Sequence, residues 1–140
     1  MKFDLNDFQI VEKQSFGGKR AATQPFVGID KHGITFNVYI GKHYAFAHQK
    51  YAQVFIDSAA QKLAVVFFDK FDPNSFKVMR SNKSDGTHIS TSALCKHLTE
   101  NTDLINTNVF RYKFVPEIDN EQQIIMIDLK NPFSKIRIKK

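Results

Sequence analysis

The stretch Phe26–Phe68, FVGIDKHGITFNVYIGKHYAFAHQKYAQVFIDSAAQKLAVVFF, decides how the chain is read. It opens with the apolar run Phe26 to Asp30 and turns at Lys31-His32-Gly33, where Gly33 supplies the positive φ that a tight hairpin wants. Ile34-Thr35-Phe36 is the returning strand. Asn37 stands as the N-cap of a helix from Val38 to about Ala47, with Ile40, Tyr44 and Ala47 at helical spacing and Gly41 a weak point. Tyr51 to Asp57 and Leu63 to Phe68 make a second hairpin across Ser58–Gln61. Leu63 to Phe68 is apolar on both faces, which an exposed edge does not tolerate, so it belongs at the centre of the structure.

Working outward, the same order of elements recurs between Phe76 and Leu129. Asp69–Ser75 links the two halves, with Asp72-Pro73-Asn74 as its turn. Phe76 to Arg80 reads as a strand, followed by a polar loop, Gly86 and a short strand Thr87-His88-Ile89. Ser90 takes the capping position of Asn37, and a helix from Thr91 to about Glu100 turns Leu94, Cys95 and Leu98 inward. A polar insert, Asn101–Asn108, precedes a hairpin of Phe110–Val115 and Ile124–Leu129. Its first strand alternates, burying one face and presenting Arg111 and Lys113 on the other. Gly33 to Gly86 spans 53 positions and Asp57 to Asp119 spans 62, a difference that a loop insertion between diverged repeats explains.

The expected fold is therefore α+β and mostly β: two pseudo-symmetric ββαββ units, 26–68 and 76–129, forming a barrel-like or swapped-hairpin core with two short helices. The chain 1–140 reads as a single domain. Residues 1–25 are an N-terminal strand and arm, with Phe8–Glu12 the strand and Ser15–Pro25 a loop carrying Lys19 and Arg20. Residues 130–140 are a C-terminal basic strand, with Ile136 and Ile138 on the core and Lys135, Arg137 and Lys139 on the other side. That basic row reads first as lysine guarding of a sheet edge and second as a phosphate-lining row.

Fourteen Phe and no Trp, a hydrophobic fraction of 42% and a charged fraction of 24% are those of a soluble globular protein whose rings pack its core. No apolar run approaches the about 20 residues needed to span a bilayer. Asp4, Asn6 and Asp7 interrupt the apolar residues of the N-terminus, so it does not read as a secretory signal. The lone Cys95 forms no internal disulfide, which fits a reducing cytoplasm.

The formal charge of +6 and pI near 9.4 favour an anionic partner, nucleic acid ahead of membrane. The cations placed on loops and strand faces are Lys19, Arg20, Lys31, Arg80, Lys83, Arg111 and Lys113, and these are the candidate nucleic-acid contacts. Catalytic signatures are missing. His43 and His48 lack zinc spacing, Cys95 and His97 point to different faces of one helix, and Gly17-Gly18-Lys19-Arg20 lacks the spacing of a phosphate loop. No metal, no cofactor and no enzymatic activity are expected.

A strand, a Gly turn, a strand, a capped short helix and a terminal hairpin resemble the AbrB-type swapped-hairpin unit. The residues carrying the resemblance are Gly33-Ile34-Thr35-Phe36-Asn37, the helix after them and Tyr51 to Phe68, repeated more loosely from Gly86. The resemblance implies a small DNA-binding regulator or antitoxin, here with two units in one chain acting as a built-in dimer. Asn37 stands where that family usually has Pro, and its arginines flanking the Gly turn do not carry over: only Lys31, Arg80 and Lys83 occupy comparable turn regions. Three functions are open on these residues. The first is DNA binding, as a regulator or a phage or mobile-element accessory protein, with DNA ahead of RNA as ligand. The second is a structural protein assembling, for instance as a homodimer, through exposed strand edges. The third is a small-molecule or enzymatic barrel, for which no pocket of converging polar groups can be named.

Overall fold

Why the elements form where they do is clearest at the turns. The computed structural model describes residues 23–81 and 84–138. The expected strand Phe8–Glu12 and the cations Lys19, Arg20 and Lys83 lie outside the described residues. Strand β1 (Val27–Asp30) turns into β2 (Gly33–Phe36), with Gly33 at φ 148°. Asn37 caps helix α1 (Val38–His43), its Oδ1 accepting from the Ile40 N–H at 3.3 Å. The same oxygen accepts from the Phe26 N–H at 3.2 Å, so the cap also ties the entry of β1 to the helix.

The helix is shorter than its periodicity predicts. Tyr44 takes an extended conformation and the chain resumes as a 3₁₀ turn, Ala45–His48. This break rotates Phe46 and Ala47 into the core, where Phe46 meets Phe67 edge-on at 5.5 Å. A continuous helix would put them elsewhere on its circumference.

Strands β3 (Tyr51–Asp57) and β4 (Lys62–Phe68) pair antiparallel in full register from Tyr51–Phe68 to Asp57–Lys62. The expected strand Phe76–Arg80 is split. β5 (Phe76–Lys77) pairs with β3, β6 (Met79–Arg80) pairs with β7 (Thr87–Ser90), and buried Val78 marks the corner where the chain crosses between sheets. Helix α2 (Ser92–Asn101) is capped by Thr91, one residue later than expected, because Ser90 is still held in the ladder opposite Gly33.

The last third departs most from the sequence reading. β8 (Phe110–Phe114) does not form a hairpin with β10 (Ile124–Asp128). It lies between β1 and β11 (Ser134–Arg137), while β10 pairs with β4 and with the short β9 (Glu117–Asp119). Pro116, which has no N–H to give a ladder, sits at the crossing between β8 and β9.

The result is α+β and mostly β. One antiparallel sheet has the order β11-β8-β1-β2-β7-β6 and the other β5-β3-β4-β10-β9. Both sheets are open among the described residues, so the barrel expected from sequence is not closed. Their inner faces share one core in which Phe36 of β2 meets Phe67 of β4 at 5.1 Å. β4 lies in the middle of its sheet, as its apolar sequence requires. No helix among the described residues is long and apolar enough to cross a membrane.

Two cross-strand pairings match the offsets read from the sequence. Thr35 faces His88 in the β2–β7 pair, and Ala64 faces Met126 in the β4–β10 pair. These are positions 53 and 62 apart, the spacings read from the sequence. Asp57 Oδ1 accepts from the Ala60 N–H and Asp119 Oδ1 from the Gln122 N–H, both at 3.0 Å. Gln61 (φ 56°) and Gln123 (φ 60°) close these two turns. The Phe67 N–H donates to the Gln123 carbonyl and the Leu129 N–H to the Gln61 carbonyl, again both at 3.0 Å.

The polar insert is packed rather than loose: Ile105 and Thr107 are buried, and the Tyr112 hydroxyl accepts from the Asn106 N–H at 2.8 Å. Cys95 is fully buried on α2. Burial, with a smaller contribution from the Asp30 carboxylate, pushes its thiol up to about 11. The thiolate fraction at pH 8 is then about one in a thousand. Native protein at pH 8 is expected to resist iodoacetamide for hours, with full labelling on unfolding, as read by mass spectrometry. Rapid labelling of the native state would contradict this burial.

Candidate nucleic-acid interface

Alternation fixes which side chains the first sheet offers to solvent. Val27, Ile29, Ile34, Phe36, Thr87, Ile89, Tyr112 and Phe114 are buried, so Gly28, Thr35, His88, Arg111 and Lys113 face outward. The registers place them in rows. One row runs Ser134, Lys113, Gly28, Thr35, His88, Met79 across all six strands. A second begins with Ile136 opposite Arg111, and Asp30 pairs with Gly33 beside it.

Lys113 Nζ lies 4.8 Å from the Phe26 ring centroid, which holds this cation over the outer face. Phe133 meets Phe26 edge-on at 5.8 Å. Lys31 sits on the β1–β2 turn, where the Asp30 carboxylate is engaged by the His32 N–H at 2.8 Å. Two adjoining depressions, of about 280 and 390 Å³, follow β8 and β11 and share Asp30, Arg111 and Ile136. They join Lys113 at one end to Lys31, His32 and Arg137 at the other.

Of the candidate contacts, the structure brings Lys31, Arg111 and Lys113 together. Arg80 is exposed on β6 at the opposite edge, four strand spacings or about 19 Å from β8, and lines another cleft that meets the first at Thr35. Arg137 borders the second depression from β11, but it alternates with Ile136 and so lies with Lys135 on the other face of that strand. The tail strand takes the reverse of its expected orientation: Ile136 is 50% exposed beside Arg111, and Lys135 Nζ lies 4.2 Å from the Phe110 ring, capping the core edge. Alternation defines two faces of a strand, but only its pairing with β8 decides which face is inward.

Charge divides between the sheets. The strands of the first sheet carry Arg80, Arg111, Lys113, Lys135 and Arg137 against Asp30 alone. Those of the second carry Asp57, Glu117, Asp119 and Asp128 against Lys62 and Lys77. Hydrogen bonds from the Lys130 backbone and then the Asn131 amide hold the Asp128 carboxyl below its usual range, which keeps that end of the second sheet anionic. Among the described residues the ion pair is Lys96–Glu100 on α2, so no described carboxylate neutralises Lys31, Arg111, Lys113 or Arg137 by direct contact. The described residues contain no group of three His, Cys, Asp or Glu side chains placed to hold a metal ion. Comparison with protein-family models, with curated proteins and with solved structures finds no match to this chain.

Proposed function

We propose that this chain is a non-enzymatic nucleic-acid-binding protein that contacts phosphates through the outer face of its first sheet. The observation carrying the reading is the convergence of Lys31, Arg111 and Lys113 on one groove while strand carboxylates collect on the other sheet. The preference for DNA over RNA, and a role as a small regulator or a phage or mobile-element accessory protein, rest on the likeness to swapped-hairpin DNA-binding units. Residues 26–68 and 76–129 are read as two copies of one unit related by an approximate two-fold axis. The matched pairings Thr35–His88 and Ala64–Met126 and the reciprocal bonds through Gln61 and Gln123 support that reading. A cytoplasmic setting suits the unpaired, buried Cys95.

Three phosphate contacts give a salt slope of about −2.7, so affinity for a duplex is expected to fall about 40-fold between 50 and 200 mM salt. Fluorescence anisotropy measures this directly. The Arg111→Ala/Lys113→Ala pair should weaken binding and flatten the slope by about 2, whereas Lys62→Ala/Lys77→Ala on the second sheet should change neither. An affinity insensitive to salt overturns the reading.

A second reading has its own observation. The outer face of the second sheet carries an apolar patch, with Phe55, 50% exposed, in a row with Ala64 and Met126, and Val66 beside Ile124. An assembly protein would bury this face. Sedimentation equilibrium at high concentration would then show a dimer that Phe55→Lys disperses, and a monomer throughout would exclude it.

A further inference from the structure

We propose that the groove over Gly28 receives a single strand of nucleic acid rather than a duplex, with bases against its apolar members and phosphates along its cations. This inference rests on the nucleic-acid reading above and specifies its ligand. A duplex presents charge to a protein surface and keeps its base faces stacked inside, so it gains from cations but nothing from apolar surface. A single strand offers both.

The outer face of the first sheet mixes the two chemistries. Ile136 and Phe133 are 50% and 48% exposed, two of the six large apolar side chains so placed among the described residues. Ile136 and Phe133 flank Arg111 and Lys113. These two cations project from the same strand face two residues apart, about 6.6 Å along β8.

Gly28 gives the groove its depth. It sits in the middle of the row, between Lys113 and Thr35, where any other residue would fill the trough. Its backbone does not require glycine: an added Cβ would meet only Thr35 Cβ and the Tyr112 carbonyl, each at an ordinary 3.8 Å. Glycine in a strand interior weakens the strand, and a close approach by a ligand is one reason for it to stand there. At about 280 Å³ the groove has room for bases of a single strand but not for a duplex. Asp30 lies among the cations Lys31, Arg111 and Lys113 and lines both depressions, so it repels phosphate at that point and offers its second carboxylate oxygen to base amino groups.

The test uses the full chain with a fluorescein-labelled mixed-sequence 12-mer, as a single strand and as a blunt duplex, at 50 mM salt. The single strand is expected to bind at least about tenfold tighter. Gly28→Val should remove that preference without lowering the melting temperature, and Ile136→Ser, at an exposed site, should weaken single-strand binding with an unchanged salt slope. Equal or tighter duplex binding overturns this inference and leaves the nucleic-acid reading standing. Single-strand binding indifferent to both substitutions also overturns it. No binding of either form at 50 mM salt overturns the underlying reading itself.

Discussion

Gly33→Ala is expected to destabilise the fold by about 3–5 kcal/mol, the sum of backbone strain and overpacking. At φ 148° an L side chain is strained whatever the space around it. Space is also lacking: an added Cβ would fall on the Ile89 carbonyl oxygen and 2.9 Å from the Thr91 nitrogen. Both neighbours are fixed, since β7 is paired to β2 and the Thr91 N–H donates to the His32 carbonyl at 3.1 Å. Relief therefore requires separating β2 from β7 within the six-stranded sheet. Domains of this size are stable by only about 5–15 kcal/mol, so this one methyl group consumes much of the margin. Urea unfolding should show a lower midpoint with an unchanged slope.

Gly41→Ala makes a useful comparison. In an isolated helix the change would stabilise by about 1 kcal/mol. Here the Cβ would meet the Asp85 carbonyl group, its carbon at 2.6 Å, and the expected outcome is a net loss of about 1–3 kcal/mol. With Gly28→Val the three glycines should give a large loss, a moderate loss and no loss. That order follows from their surroundings and not from glycine's propensities.

Phe67→Ala is expected to remove a further about 3–5 kcal/mol, in the range for aromatic truncation in a core. The ring is 1% exposed and touches Phe36 at 5.1 Å and Phe46 at 5.5 Å. It thereby joins β2 of the first sheet, the 3₁₀ turn and β4 of the second. Its backbone N–H bonds the Gln123 carbonyl in either variant, so the loss reports the ring alone. Phe68→Ala, the next residue but on the outer face, is half-buried and should lose far less. Equal losses at 67 and 68 would mean that β4 is not packed as described.

The local grammar of the fold was legible because local chemistry decides it. Gly33, the Asn37 cap and the two Asp-led turns at 57 and 119 each announce themselves in the residues that make them. The apolar run Leu63–Phe68 spoke against a sheet edge, and β4 does lie between β3 and β10. What the sequence could not give was pairing. Pro116 is visible, yet its consequence, that β8 leaves β10 for β1, depends on an edge supplied by residues over 80 positions earlier. Tyr44 ends α1 because Phe46 has a place to fill beside Phe67, which no helical period encodes.

The site follows the same division. Arg111 and Lys113 were readable from the alternation of one strand. Their union with Lys31, and the separation of Arg80, depend on sheet order. The trough over Gly28 had no signal, since a glycine in a strand reads as a weakness until its neighbours are known.

The central claim is that the outer face of the first sheet is where this protein meets its ligand. Amide chemical-shift mapping with a short oligonucleotide at low salt tests it most directly. The account predicts that perturbed amides cluster at Gly28, Lys31, Arg111, Lys113 and Ile136 and disappear as salt is raised. Perturbations centred on Phe55, Val66 and Ile124 of the second sheet, or scattered over both, would contradict it.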